Sequence, residues 1–286
     1  MQKISDAETL LKLSFLIRNS VVRMLCKAGS GHLGGALSLA DICTTLYFNT
    51  LNHQPNNPDW PDRDRVILSA GHLAPVLYAT LAHAGYFEIE ELYSLRKVGS
   101  RLQGHPAKDK GLPGIETSSG SLGQGLSIAL GMALAAKIDS QKITIHTLMG
   151  DGELQEGQVW EAAMAAAHHK LDNLIAIVDK NGLQIDGKTS DVMNLEPLRN
   201  KWESFGWNVI ECNGHNFNEL IVSFESAKKS SKKPTVILAR TIMGKGIKTI
   251  ENDSRWHGKV PGQNEIADFL CQLEESYKAE LNQPNL

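Results

Sequence analysis

The sequence predicts an α/β protein in which a mostly parallel sheet is covered by helices on both faces. Segments 174–178 and 235–239 are apolar at nearly every position and segment 143–149 is rich in apolar residues, as expected of strands buried on both sides. Helical patterns lie between them, and strands that alternate with helices are typical of a parallel sheet. The 286 residues, 42% hydrophobic and 21% charged, fit one large domain or two small ones. Because no repeat or low-complexity linker divides the chain, we predict a single domain over residues 1–286.

The first half of the chain predicts mainly helices. Apolar residues at helical spacing predict a first helix over residues 6–28, which Gly29 ends. Shorter patterns predict helices over 36–48 and 74–84. Segment 120–137 is small and apolar on most faces, which predicts a buried helix.

The second half alternates between the two element types. Apolar runs predict the strands and helical periodicity predicts the helices between them. The chain after residue 143 is therefore expected to contain strand 143–149, helix 156–169, strand 174–178, strand 208–211, helix 217–228, strand 235–239 and a terminal helix over about 264–281.

Composition argues against several classes of partner and location. The formal net charge is -3, and the basic run 228–233 is too short to be more than a solvated turn, so nucleic acid is not an expected partner. The N-terminus lacks the basic start and apolar core of a signal peptide, and no apolar run reaches the ~20 residues that a membrane helix needs. The four cysteines form no close pairs in sequence and are expected to be reduced. We therefore predict a cytoplasmic protein that does not bind membranes.

Polar residues follow two of the predicted strands. Asp151 and Gly152 come directly after strand 143–149, and Asn181 follows strand 174–178. In a parallel sheet these strand ends meet at one edge, where ligands bind. A carboxylate and an amide oxygen form the partial cage that Mg²⁺ prefers when phosphates supply further ligands, and backbone N–H groups around Gly152 suit phosphate oxygens. The pattern predicts a divalent cation that carries a diphosphate.

The same residues have a simpler interpretation as turns. Asp-Gly and Asn-Gly are common turn dipeptides, and either one alone would favour a turn. Their separation of about thirty residues across one strand–helix–strand unit favours the diphosphate site. The site is neither a P-loop nor a G-x-G-x-x-G loop, because the glycines have the wrong pattern and no Gly-Lys-Ser/Thr follows them. No tight cluster of histidine and cysteine suggests zinc.

The residues around these strand ends resemble transketolase. The segment GDGELQEGQVWEAAMAAAHHKLDNLIAIVDKNGLQIDG holds the Gly-Asp-Gly and the distal Asn of the thiamine-diphosphate motif. Four more segments agree: SGHLGGALSLAD, AGHLAPVLYA, LQGHPAKDKGLPGIETSSGSLGQGLS and WHGKVPG. The resemblance implies the three-layer thiamine-diphosphate-binding fold. Since a transketolase is more than twice this length and has three domains, the chain is similar to the N-terminal subunit of a split transketolase.

Matching the motifs position by position implies roles for single residues. Asp151, Asn181 and the backbone carbonyl of Leu183 match the ligands of the metal ion, which would be Mg²⁺, or Ca²⁺ or Mn²⁺ in its place. Gly152 and Asn181 match cofactor contacts. Glu156 matches a catalytic-site acid near the subunit interface, through which paired sites communicate. The loop that meets the cofactor rings corresponds to Gly120, Ser121 and Leu122.

Histidines form a second group of matched residues. His32, His105 and His257 match residues that line the substrate channel and handle sugar hydroxyls, and His72 and His257 match cofactor contacts. Histidine suits this work because its ordinary pKa of ~6.5 lets it donate or accept a proton near neutral pH. The remaining histidines are expected to be structural or on the surface: His53, His83, His146, His168, His169 and His215.

The resemblance implies transfer of a two-carbon ketol unit from a ketose phosphate to an aldose phosphate, with thiamine diphosphate as the electron sink. In the family a glutamate on the second domain activates the cofactor, and arginines that grip the sugar phosphate lie largely in the same half. Because this chain stops at Leu286, we expect a separate C-terminal subunit, an α2β2 heterotetramer and no activity of the chain alone. Two alternatives remain: action on an unusual sugar (sulfonated, deoxy, branched or of secondary metabolism), or a non-catalytic subunit.

A few positions depart from the family pattern or lack a clear role. Leu33 replaces a proline that often follows the first motif histidine, which should alter a loop slightly. Met243 stands where many relatives have a lysine near the diphosphate, and Lys245 is a candidate substitute. Glu153 is expected to lie on the surface or outside the first layer of contacts.

Overall fold

Five parallel strands form the central sheet of the computed structural model, which describes residues 3–282. Residues 1–2 and 283–286 of the predicted single domain lie outside the described residues. A short antiparallel hairpin, β4 (Leu183–Gln184) and β5 (Gly187–Lys188), follows the third strand. In spatial order the sheet contains β1 (Arg65–Leu68), β2 (Ile145–Gly150), β3 (Leu174–Lys180), β7 (Thr235–Arg240) and β6 (Asn208–Asn213), and each neighbouring pair is parallel.

Helices of very different lengths surround the sheet. The two long terminal helices lie where the sequence predicts them. The Asp6 side chain accepts a hydrogen bond from the backbone N–H of Thr9 and caps the first helix, which Gly29 ends in the left-handed conformation. The α-helices are α1 (Ala7–Ala28), α2 (Gly34–Ser38), α3 (Ala40–Thr45), α4 (Ala74–His83), α5 (Gln124–Ile138), α6 (Gly157–His168), α7 (Thr189–Val192), α8 (Leu198–Ser204), α9 (Phe217–Lys228) and α10 (Ile266–Leu281).

Alternate residues of each strand enter two different cores. On β3, Ile175 and Ile177 pack in the core formed with α1, α4, α9 and α10. Ala176 and Val178, which point to the opposite face, pack in the core formed with α5, α6 and α8. This alternation follows from the two-residue period of a strand. It confirms the predicted class, a mostly parallel sheet covered by helices on both faces.

Two predicted helices differ from those observed. The segment predicted as one helix over 36–48 forms α2, α3 and a π-helical turn at Leu46–Thr50. Every residue from 34 to 50 is buried, so packing rather than helix propensity sets its geometry. The helix predicted over 120–137 starts at Gln124, because Gly123 adopts a φ of 80°. It is not fully buried either, since Gly131 and Ala135 are exposed on its outer face.

The first strand of the sheet carries no strong sequence signal. Strand β1 has four residues and is not predicted, because so short a segment shows no clear period.

Two expectations from composition can be compared with the structure. All four cysteines are unpaired, and three of them are buried. Within residues 3–282, no helix is long and apolar enough to cross a bilayer.

Candidate functional site

A cavity of about 340 Å³ opens at the carboxyl edge of the sheet, beside the ends of β2 and β3. Its volume is in the range of ~300–1,000 Å³ that is typical of small-molecule sites. All but one of the residues assigned to the site from the sequence line it; the exception is Ser121, which is exposed. The predicted residues in its wall are His32, His72, His105, Gly120, Leu122, Asp151, Gly152, Glu156, Asn181, Leu183 and His257.

Asp151 lies at the end of β2 and is 4% exposed. Its carboxylate accepts hydrogen bonds from the backbone N–H of Gly152 at 2.9 Å and of Gly182 at 2.7 Å. Burial, together with the nearby charge of Asp179, raises the pKa of Asp151 to about 7, although both N–H groups oppose that rise. A carboxylate in such an environment gains greatly from a bound cation.

Asn181 lies beside Asp151 with its amide fixed by two contacts. Its Nδ2 donates to Asp179 Oδ2 at 3.1 Å, and its Oδ1 accepts from Leu183 N at 2.9 Å, which leaves Oδ1 a second lone pair. Asp179 is itself held by the hydroxyls of Ser38 and Thr241, which both donate to it. The cavity wall therefore offers a carboxylate and an amide oxygen, the hard oxygen donors that suit Mg²⁺ or Ca²⁺.

Backbone alone lines the cavity at Gly152. A Cβ at this position would lie 3.1 Å from Gln184 Cβ, tighter than ordinary packing. Asp151 and Gly152 come where β2 ends and a 3-10 turn, Gly152–Gln155, begins. The residues fit a cation with a phosphate ester or diphosphate, because oxygen ligands and a stretch of backbone without side chains border the same cavity.

Three histidine rings that line the same cavity pack against each other. The ring centroids of His32 and His72 are 5.0 Å apart, those of His72 and His257 are 5.2 Å apart, and those of His32 and His257 are 5.7 Å apart. Burial and the neighbouring histidines lower the pKa of His32 to about 4 and that of His72 to about 3. Both rings are therefore neutral at neutral pH, and His32 Nδ1 is buried without a hydrogen-bond partner among the described residues.

His105 completes the wall near the loop that precedes α5. A Cβ at Gly120 would lie 3.9 Å from His105 Cγ, so loop and ring are in contact distance. Burial and the charge of Arg96 lower the pKa of His105. Arg96 also lowers the pKa of His32, and its Nη1 donates to Ser30 Oγ at 3.3 Å, two residues before that histidine.

Glu153 is a site residue whose burial the sequence did not reveal. It is 3% exposed, so of the two expected positions the surface is wrong and a place outside the first layer of contacts remains. Its Oε1 accepts from Gly123 N at 2.8 Å and from the Ser69 hydroxyl, and its Oε2 accepts from Gly150 N at 3.1 Å. One carboxylate thus ties together the ends of β1 and β2 and the start of α5. No sequence signal separates it from its neighbouring acids, because its partners come from distant segments.

Glu156 differs from Glu153 in being exposed. It is the residue before α6, and a Cβ at Gly123 would lie 2.7 Å from Glu156 Cβ. Further wall residues were not assigned to the site from the sequence. They are Gly35, Leu73, Gly150, Glu153, Gln155, Asp179, Gln184 and Ile185.

Lys245 does not fill the position left by Met243. Met243 is fully buried and packs so closely on Gly34 that a Cβ there would lie 2.7 Å from Met243 Cγ. Lys245 Nζ is 2.6 Å from Glu280 Oε1 on α10, and Lys245 is absent from the cavity wall. The lysine therefore forms an ion pair with the C-terminal helix and does not contact the cavity.

Comparison with known proteins identifies the fold and the motif. Residues 12–279 match the family described as transketolase, thiamine diphosphate binding domain. The chain is 47% identical to 6-deoxy-6-sulfo-D-fructose transketolase subunit SqwG of Clostridium sp. (strain MSTE9), over 92% of each chain. It is 42% identical to an apulose-4-phosphate transketolase subunit of Phocaeicola vulgatus, over 94% of this chain and 95% of that one.

A solved structure extends the comparison to full-length enzymes. Transketolase from Leishmania mexicana superposes with a TM-score of 0.86 at 29% identity, covering 96% of this chain and 44% of that chain. The chain thus spans less than half of that transketolase and nearly all of the two subunits. The match over residues 12–279 and the identity to these subunits show that the chain belongs to the transketolase family and carries its thiamine-diphosphate-binding domain.

Proposed function

We propose that the chain is the cofactor-anchoring subunit of a split transketolase, which transfers a two-carbon ketol unit from a ketose phosphate to an aldose phosphate. The observation that carries the proposal is one cavity that is lined by Asp151 and Asn181 together with the histidines His32, His72 and His257. Similarity to two transketolase subunits over nearly their whole length supports the split arrangement.

The two strand ends are suited to hold the cofactor. The Asp151 carboxylate, the Asn181 amide oxygen and the Leu183 carbonyl would bind Mg²⁺, or Ca²⁺ or Mn²⁺, and the backbone at Gly152 would meet the diphosphate. When bound, thiamine diphosphate supplies the electron sink for cleavage of a carbon–carbon bond. His72, Gly120 and Leu122 border the same space and would contact the rest of the cofactor, with Ser121 between the two loop residues.

The neutral histidines are suited to proton transfer at the sugar. Burial lowers the pKa of His32, His105 and His257, so each ring offers one acceptor and one donor at neutral pH. Such groups typically contribute ~10²–10⁴-fold in rate by general acid–base catalysis. We assign them to the hydroxyl and carbonyl oxygens of donor and acceptor.

A second polypeptide would complete the site. Glu156 is exposed beside Gly123, the residue before α5, and we propose that a partner chain buries it there. We expect a C-terminal subunit with the pyrimidine-binding domain, in an α2β2 heterotetramer. The four unpaired cysteines favour the cytoplasm.

The sugar itself has two candidates. The general expectation is an ordinary sugar phosphate. The names of the two relatives, one for a 6-deoxy-6-sulfo-D-fructose enzyme and one for an apulose-4-phosphate enzyme, favour an unusual sugar as the second candidate. A choice between them depends on side chains of the partner as well as on this chain.

Reconstitution tests the proposal. The purified chain, a C-terminal partner chain and their mixture would be assayed with Mg²⁺ and thiamine diphosphate for ketol transfer from ordinary, sulfonated and branched ketose donors. We expect turnover by the mixture alone, and a mass in solution of two copies of each chain. Turnover by the single chain would contradict the split site. Cofactor binding without turnover by the mixture on any donor would favour a non-catalytic subunit.

A further inference from the structure

We infer that buried Asp41 and partly buried His215 form a positioning pair that fixes the loop after β7 and, through it, the Asn181 amide. His215 Nδ1 lies 2.7 Å from Asp41 Oδ2, and His215 Nε2 lies 2.8 Å from the backbone N of Ile242. Neither residue lines the cavity, so both act through other groups. The role of Asn181 as a metal ligand rests on the proposed function.

The contacts define the state of the imidazole. A backbone N–H can only donate, so His215 Nε2 accepts from Ile242 and carries no proton. The ring proton is therefore on Nδ1 and is donated to Asp41. The ring bridges the loop after β6 to the loop after β7 in one fixed orientation, and it satisfies an N–H that would otherwise lack a partner.

Asp41 is anchored on the far side by α1. Arg18 donates to both of its carboxylate oxygens, Nη1 to Oδ1 at 2.8 Å and Nη2 to Oδ2 at 2.7 Å, and the Ser14 hydroxyl also donates to Oδ1. Asp41 is 2% exposed and Arg18 is 5% exposed. A buried network of this kind is weak support for stability, but when every group is satisfied it fixes one geometry.

The loop after β7 carries the constraint to the cavity. Next to Ile242, the Thr241 hydroxyl donates to Asp179 Oδ1, and Asp179 Oδ2 accepts from Asn181 Nδ2 at 3.1 Å. The two loops also pack tightly, since a Cβ at Gly214 would lie 2.5 Å from Thr241 Cγ2. A continuous path of hydrogen bonds and one peptide segment thus runs from α1 to the predicted metal ligand.

Substitutions of His215 separate the two ends of the bridge. Phenylalanine keeps the ring and removes both hydrogen bonds. In His215→Gln, Oε1 reaches the position of Nε2 and can accept from Ile242, whereas in His215→Asn the shorter amide reaches Asp41 and leaves Ile242 without a partner. His53→Phe is the matched control, because His53 is also buried and bonds to Tyr47 O and Tyr86 Oη but does not line the cavity.

Two measurements decide the inference. Hydrogen–deuterium exchange of the 241–246 segment would be followed in the chain alone, and Mg²⁺ with thiamine diphosphate would be titrated into the chain with its partner. For His215→Phe we expect an increase of about tenfold or more in the exchange rate of that segment and in the Kd of the cofactor. Other residues that orient metal ligands have effects of this size. His215→Gln should recover part of both, because it accepts from Ile242 but loses Asp41, whereas His215→Asn should recover little and His53→Phe should leave both unchanged.

Other results would overturn the inference. An exchange rate of the 241–246 segment in His215→Phe equal to that of the wild type would show that protection of the Ile242 N–H does not depend on the ring. Altered exchange with unaltered cofactor affinity would show that the loop does not position Asn181, and equal losses in His215→Phe and His53→Phe would indicate general destabilisation. Absence of cofactor binding by the wild-type complex would instead refute the proposed function, while the exchange measurement would still test the bridge.

Discussion

Replacing Asp151 with asparagine should stabilise the metal-free protein at alkaline pH while it removes the proposed metal site. The ionised carboxylate is buried, and Asp179 is the nearest charge that repels it. Asparagine has nearly the same shape but only one acceptor oxygen, so it keeps the hydrogen bond from either Gly152 N or Gly182 N and loses the other. The substitution therefore removes a charge and one hydrogen bond, and only the loss of the charge has an effect that depends on pH.

The magnitude follows from the pKa of Asp151, which burial and Asp179 raise from 3.8 to about 7. Each pKa unit corresponds to about 1.36 kcal/mol, so ionisation of this group costs the folded state about 4 kcal/mol at pH values above about 7. The folded state holds the proton more tightly than the unfolded state does. Stability is therefore lost as pH rises from 3.8 towards 7, and about half of that loss has occurred at about pH 5.5.

Urea unfolding of cofactor-free protein in a chelator tests this value. The free energy of unfolding of Asp151→Asn relative to wild type should increase by about 2 kcal/mol between about pH 5.5 and about pH 8.5. Any cost of the amide itself is the same at both pH values and cancels. Asp186→Asn, at an exposed position in the nearby hairpin loop, should show no such change.

The refuting result is a difference in the free energy of unfolding between variant and wild type that does not depend on pH. It would mean that burial does not raise the pKa of Asp151 in the metal-free protein. A second readout concerns the site, because Mg²⁺ with thiamine diphosphate should raise the Tm of the wild-type complex with its partner chain and leave that of Asp151→Asn unchanged. An equal rise in both would show that the ion binds elsewhere.

Two further predictions concern stability. Burial lowers the pKa of His146 to about 4, and neither ring nitrogen has a partner among the described residues, so the fold should lose about 3 kcal/mol through this group as pH falls from about 6.5 to 4. His146→Leu should remove that loss in acid unfolding curves, exposed His169→Gln should not, and an unchanged curve for His146→Leu would contradict the argument. Gly125→Ala should destabilise by about 1–3 kcal/mol, because its Cβ would lie 2.3 Å from Ser69 Cβ. Gly131→Ala on the same helix meets nothing within 4 Å and should be neutral or stabilising, so equal Tm values for the two would refute this.

Much of the sheet and of the cofactor site could be predicted because its signals are local. The apolar runs before Asp151 and Asn181 mark central parallel strands, and the polar residues at their ends follow directly in the chain. The motif around them also matches a family in which those positions bind the cofactor. Strand β1 could not be predicted in the same way, since four residues at the sheet edge show no distinctive period.

Other residues could not be understood from their own segments. Glu153 is one of three acids within six residues, and its burial depends on Ser69 and Gly123, which lie 84 and 30 residues away. His215 has the sequence context of a loop histidine until the fold places Asp41, 174 residues earlier in the chain, against its ring. Lys245 was a reasonable candidate for the cavity by spacing alone.

The sequence by itself determined the class of fold, the strand ends that meet at one edge and the chemical character of the residues there, because hydrophobic period and strand-end polarity are written within short segments. The tertiary structure alone decided which polar groups are buried, which are paired and which remain free for a ligand. The physical reason is that desolvation and hydrogen bonding depend on partners brought together across long chain separations, as for Asp41 with His215 and Lys245 with Glu280.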